Sequence, residues 1–107
     1  MKVLRFSGEA AFREHRRTAR RSEEAAFTAF VLPSVDGKWC FAVVASKARI
    51  GGAVERNRAK RRLRAAFATA CEDVKNPLAV ILYSKKAALT ADFAELVKTL
   101  IAALGKS

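Results

Sequence analysis

The spacing of apolar residues changes repeatedly along the chain, and each change predicts an element. From Ser7 to Arg21, Phe12, His15 and Ala19 recur every three or four residues, which predicts a helix with a narrow apolar stripe and with Arg13, Arg16, Arg17, Arg20 and Arg21 on its other faces. Ala25 to Leu32 is rich in aromatic and branched residues and predicts a strand. Pro33 stops it and Asp36-Gly37 turns it into a second strand, Lys38 to Ser46, the two forming a hairpin. Phe27, Ala29 and Val31 then face one side and Phe30 and Leu32 the other, so Phe30 is the candidate for an aromatic on a face that no helix covers.

After Ile50-Gly51-Gly52, Ala59, Leu63, Ala66, Phe67, Ala70 and Val74 lie on one stripe of a long helix predicted from about Ala53 to Asp73, and that stripe must pack on the sheet. Leu78 to Ser84 is a strand of the buried type. A last helix, Thr90 to Leu104, presents Phe93, Leu96, Val97, Leu100 and Leu104 to the core and stops at Gly105. The expected order is α-β-β-α-β-α, giving an α/β (α+β) two-layer sandwich. No repeat or linker divides it, and 107 residues hold one core, so residues 1–107 are expected to form a single domain.

Composition adds a partner to this picture. There are 21 Lys and Arg against 10 Asp and Glu, a formal net charge of +11, and a polyanion is the natural ligand for such a chain. A membrane could offer that charge, but no apolar run approaches a spanning length and no signal-type stretch precedes Glu9, so a cytoplasmic protein without a membrane partner is expected. Cys40 and Cys71 have neither a CxxC spacing nor a nearby His, which argues against zinc or a disulfide framework and for two buried free thiols.

The positive charge is concentrated. Lys47, Arg49, Arg56, Arg58, Lys60, Arg61, Arg62 and Arg64 stand against the single acid Glu55 between positions 47 and 64. Arg56, Arg58 and Lys60 occupy the first turns of the long helix, where the macrodipole favours acids, so local stability is given up there. Sequences tend to break such a rule at functional sites, and a helix start studded with Arg suits phosphate. Asn57, Arg58, Lys60, Arg61 and Arg64 fan across the side away from Leu63 and Phe67, while Arg56 lies nearer the apolar stripe and projects past the helix mouth. The bland alternative is a solvated helix face. Net charge, clustering and the second basic helix at Arg13 to Arg21 favour a nucleic-acid site, with charge alone leaving RNA and DNA undistinguished.

The stretch Ser46-Lys47, followed by Gly52-Ala53-Val54-Glu55-Arg56-Asn57-Arg58-Ala59-Lys60-Arg61-Arg62-Leu63-Arg64, resembles the signature of the ribonuclease P protein component, built around Arg-Asn-Arg and Lys-Arg. The resemblance extends more weakly over the N-terminal helix with its Phe, the strand Phe27-Thr28-Ala29-Phe30-Val31-Leu32, and the final strand and helix. It implies a sandwich with a left-handed βαβ crossover, against the usual right-handed rule. It also implies a protein subunit that binds a catalytic RNA, one protein per RNA, and assists removal of the 5′ leader from precursor tRNA. Carried over residue by residue, Arg56, Asn57, Arg58, Lys60, Arg61 and Arg64 would contact the catalytic RNA. Phe12, Phe30, Ser46 and Lys47 would meet the precursor's leader; beside the resemblance, the basic first helix would place Arg16 and Arg17, with Lys47, on its phosphates.

The chain departs from the family pattern in places. Arg16 stands where a second Phe is common, which would make leader contact there electrostatic. Ser46 to Gly51 is one residue longer than usual, leaving Lys47 and Arg49 as alternatives for the second basic position. Ala65 stands where an acid commonly follows Arg64, and Ser84-Lys85-Lys86 replaces an Ala-Arg ending.

Catalysis by the protein itself is not expected. His15 is the single His and sits on an apolar stripe, where a structural role is the plainer reading; Glu23-Glu24 and Glu72-Asp73 are adjacent pairs at element ends. The chemistry would then belong to the RNA, with Mg2+ held chiefly by RNA phosphates. Two rival functions share parts of this pattern: a ribosomal-protein-like or RNA-chaperone binding module, and a stand-alone nuclease, against which the missing carboxylate cluster counts.

Overall fold

A computed structural model describes Glu14, residues 17–34 and residues 37–105. The strands among them are β1 (Arg20–Glu23), β2 (Phe27–Pro33), β3 (Cys40–Val44) and β4 (Leu78–Ser84), and the helices are α1 (Lys47–Ile50), α2 (Ala53–Ala70) and α3 (Phe93–Gly105). Single 3-10 turns follow α2 at Cys71–Asp73 and β4 at Lys86–Leu89. The expected mixed architecture stands, with one strand more than expected and a different pairing.

The extra strand replaces the end of the expected first helix. Glu14, Arg17 and Thr18 are helical, but Arg20 and Arg21 belong to β1. Nothing apolar in Arg20–Glu23 advertises a strand; the alternation appears only in burial, with Ser22 buried between exposed Arg21 and Glu23. Its pairing with β2, Arg20 opposite Val31 through Glu23 opposite Thr28, supplies the backbone partners. The Glu24 N–H donates to the Phe27 carbonyl (2.8 Å) and Ala25-Ala26 make the turn, so the hairpin of this fold is β1–β2.

The expected hairpin between β2 and β3 does not form. The sheet order is β1-β2-β4-β3, with β4 antiparallel to β2 and parallel to β3. A local turn is present where the sequence signalled one: Ser34 Oγ accepts the Lys38 N–H (3.0 Å) and Gly37 takes φ 75°. The strands on either side diverge because β4, apolar along most of its length, is the better central strand. Continuous apolar runs suit positions buried on both faces.

The core lies between the sheet and α2 with α3. Phe27, Ala29, Val31, Phe41, Val43, Val80 and Leu82 meet Leu63, Ala66, Phe67 and Ala70 of α2 and Leu96, Leu100 and Leu104 of α3. Phe67 is its central piece, stacked on Phe41 with ring centroids 3.8 Å apart and edge-on to Trp39 at 5.5 Å. The α2 stripe read from the sequence is therefore the packing face, with Val74 half-buried just beyond it. The last helix begins at Phe93 rather than Thr90, and Phe93, expected in the core, is 40% exposed at its first position. Cys71 is buried as expected and its burial pushes the thiol up to about 12; Cys40 is half-buried.

Two cations tie the periphery to this frame. The Arg62 guanidinium donates through Nε to the Ala88 carbonyl (2.9 Å) and through Nη2 to that of Ala91, fastening α2 to the 3-10 turn before α3. Arg20 Nη2 donates to the Ala103 carbonyl (2.9 Å) near the C-terminal end of α3, where a cation also complements the macrodipole. Replacing Phe67 with Ala should cost about 3–5 kcal/mol, the usual range for emptying a buried aromatic site. The same change at Phe93 should stay within about 0.5 kcal/mol, as for most exposed positions. Urea unfolding of both variants checks the contrast.

Candidate nucleic-acid interface

Strand register sorts the side chains into two faces. Partners Ser22, Ala29, Leu82 and Val43 form one row on the helix-covered face. The neighbouring rows, Arg21-Phe30-Ile81-Ala42 and Glu23-Thr28-Tyr83-Val44, point the other way. Ile81 on that face is fully buried, whereas Phe30, Tyr83, Ala42 and Val44 are half-buried and Arg21 and Glu23 exposed.

These rows floor a groove of ≈ 280 Å³ lined by Arg21, Thr28, Phe30, Val44, Ser46, Arg49, Tyr83 and Ser84. Phe30 meets Tyr83 edge-to-face at 5.5 Å between centroids, and the Arg21 guanidinium carbon lies 5.9 Å from the Phe30 ring centre. The placement expected for Phe30, on the sheet face away from α2, is the observed one. An aromatic floor with guanidinium groups at its rim offers stacking surface and phosphate donors together, the two ingredients of single-strand sites.

The short helix α1 supplies the other wall. Ser46 caps it: its Oγ accepts the Arg49 N–H (3.2 Å) and its carbonyl accepts the Ile50 N–H (2.9 Å). Ser46 thus lines the groove and also fixes the turn that carries Arg49. Of the two alternatives for the second basic position, Arg49 lies on the groove; Lys47, at the start of α1, is exposed and does not line it. The chain leaves α1 at Gly51, whose φ of 113° only glycine adopts readily, and re-enters a helix within two residues.

Along α2, Asn57, Arg58, Arg61 and Arg64 are exposed, and Arg56 and Lys60 are half-buried. Glu55, in the first turn of α2, is the acid the macrodipole favours there, and its carboxylate lies 2.9 Å from where a Cβ on Gly52 would stand, so any other residue at 52 would have to displace it. Since α1 packs against α2, the basic helix and the α1 wall of the groove are neighbouring parts of one β3–β4 crossover.

Of the other residues assigned to the leader, Arg17 does not line the groove. Arg17 is exposed and engaged by Glu14, with Nη2 2.9 Å from Oε1. Phe12, His15 and Arg16 lie outside the described residues. The sequence reading missed Arg21, Thr28 and Tyr83. Arg21 was hidden in the expected helix, and Tyr83 closes a strand whose apolar run obscures which side chains face which way; alternation counted from Val80 and Leu82 would have separated it.

At one end of the groove, Glu23 collects three donors. Its Oε1 accepts from Arg21 Nη2 (2.6 Å), and its Oε2 accepts from Thr28 Oγ1 (2.8 Å) and lies 2.6 Å from Lys85 Nζ. The Lys85, Thr28 and Arg21 hydrogen bonds hold its carboxyl at about 2, against an ordinary value of 4.5.

The fold and its charge pattern define a small basic α+β protein with two adjoining cationic surfaces. The chain belongs to the ribonuclease P protein family: the family model described as Ribonuclease P matches residues 1–107. Membership makes it a protein subunit of ribonuclease P, with an RNA partner and a place in tRNA processing. Among solved structures it resembles the RNase P protein of Staphylococcus aureus, at 19% identity and TM-score 0.74, covering 92% of this chain and 90% of that one. It also resembles the RNase P protein of Thermotoga maritima, at 16% identity and TM-score 0.75, with 88% of each chain covered. At these identities the likeness shows the fold. A search of curated proteins finds no match. Among the described residues no helix is long and apolar enough to cross a membrane.

A depressed carboxyl pKa stabilises the fold fully above the unfolded value, and that contribution is lost as pH falls from about 4.5 towards about 2. Carboxyl NMR should therefore give Glu23 a midpoint near 2, rising when Thr28 is replaced by Val. A midpoint near 4.5 in the parent protein would show that the three-donor cluster does not persist in solution.

Proposed function

We propose that this subunit binds the catalytic RNA of ribonuclease P through the exposed side of α2 and receives the single-stranded 5′ leader of precursor tRNA in the groove over Phe30. The observation that carries the reading is the groove itself: an aromatic pair on the sheet face away from α2 and α3, with Arg21 and Arg49 on its walls. Stacking tolerates any base, which suits leaders of varied sequence, and the guanidinium groups suit their phosphates. Arg56, Asn57, Arg58, Lys60, Arg61 and Arg64 provide the catalytic-RNA surface, at one protein per RNA.

Catalysis belongs to the RNA in this reading. Among the described residues no three His, Cys, Asp or Glu side chains are grouped to hold a metal ion, and Glu23 is already engaged by Arg21, Thr28 and Lys85. The donor set thus suits Mg2+ bound chiefly by RNA phosphates, while the protein neutralises charge and positions the substrate. Such a holoenzyme works in the cytoplasm.

Purified protein should leave precursor tRNA intact, the catalytic RNA should cleave it at high Mg2+, and added protein should lower that requirement. Correct cleavage by RNA-free protein would overturn the assignment. Changing Arg58, Lys60 and Arg61 together to Ala should flatten the plot of log affinity for the catalytic RNA against log salt by about two units, at roughly 0.7 to 0.9 per phosphate contact, without unfolding the protein. An unchanged slope would make these residues ordinary solvated charge. Phe30→Ala should cost the holoenzyme about 1–3 kcal/mol in binding precursor tRNA, the range for one base–aromatic stack, and nothing in binding mature tRNA. Equal losses for both ligands would remove Phe30 from the leader site.

A further inference from the structure

One of the groove's two exposed cations is held by its neighbours. Arg21 donates from Nε (3.2 Å) and Nη2 (2.6 Å) to a single oxygen of Glu23, a two-residue reach along one face of β1. The same carboxylate is fixed from its other side by Thr28 Oγ1 at 2.8 Å and Lys85 Nζ at 2.6 Å, and Lys85 Nζ in turn donates to the Glu24 carbonyl at 2.7 Å. Thr28 is buried and Lys85 half-buried, so this anchor is built into the sheet. It leaves the guanidinium carbon 5.9 Å from the Phe30 ring centre, on one wall of the groove.

An exposed ion pair contributes little to stability, and an acid beside a polyanion site ordinarily weakens binding by repulsion. The network does something a lone pair would not. A long side chain rich in rotamers is ordered before any ligand arrives, and ordering in advance lowers the cost of binding. We infer that Glu23 is a positioning residue of the leader groove, holding Arg21 over Phe30 so that a base on the ring and its phosphate on the guanidinium are met together. The inference rests on the leader reading of the groove proposed above.

The two possible roles of Glu23 predict opposite signs. As plain surface charge, its removal raises the net positive charge and strengthens precursor and mature tRNA alike. As a positioning residue, Glu23→Gln weakens precursor binding relative to mature tRNA by about two- to fivefold, the range of one exposed cation–ring interaction. The test is a cycle in the reconstituted holoenzyme, measuring both affinities for the parent, Glu23→Gln, Arg21→Ala and the double variant, with melting temperatures alongside. A lowered precursor-to-mature preference in Glu23→Gln that disappears in the Arg21→Ala background supports positioning through Arg21. An unchanged or raised preference, in a protein where Phe30→Ala still lowers it, overturns the positioning role and leaves the groove assignment standing. If Phe30→Ala leaves the preference untouched, the leader reading itself fails. Should Glu23→Gln melt early, Thr28→Val removes one anchor without touching charge, and it must lower the preference in the same direction or the inference falls.

Discussion

Pairing along both edges of β4 is the constraint on which the rest of the molecule depends. Its Leu78–Ser84 backbone bonds antiparallel to β2 and parallel to β3, so neither neighbour can pair with the other. A parallel neighbour that precedes β4 in the chain cannot be joined to it by a tight turn, and the connection must cross over the sheet. That crossover is α1 and α2, and it carries Lys47, Arg49 and the basic run from Arg56 to Arg64. The cationic helix sits beside the sheet because β4 is where it is.

The same pairing decides what each sheet face contains. With Val80 and Leu82 committed to α2 and α3, Ile81 and Tyr83 are turned to the opposite side, in register with Phe30 and Thr28. The two aromatics whose contact floors the groove are far apart in sequence and become neighbours only across the β2–β4 ladder. β1 then brings Arg21 alongside Phe30 and Glu23 alongside Thr28. Anchoring by Arg20 to α3 and by Arg62 to the turn before α3 holds the two layers in the relation this requires.

Basicity in this protein is therefore divided by role. Arg20 and Arg62 are half-buried struts on backbone carbonyls, Arg21 is clamped by a carboxylate, and Asn57, Arg58, Arg61 and Arg64 stand exposed on the outer side of α2. A net charge of +11 tells of a polyanionic partner, but not which cations are available to it.

What the sequence determined by itself was everything local and periodic. The α2 stripe from Ala59 to Ala70, the bounds of β4 and the two faces of β2 follow from spacing along one element, because side-chain direction there is fixed by the helical or strand repeat. Only the tertiary structure decided which strands pair, that Arg20–Glu23 is a strand, that Arg62 differs from Arg61, and that Arg49 rather than Lys47 reaches the groove. Strand partners are chosen by competition among distant segments for the same backbone edge. A short polar strand such as β1 has no hydrophobic pattern to read, and its conformation comes from the β2 hydrogen-bonding edge it completes.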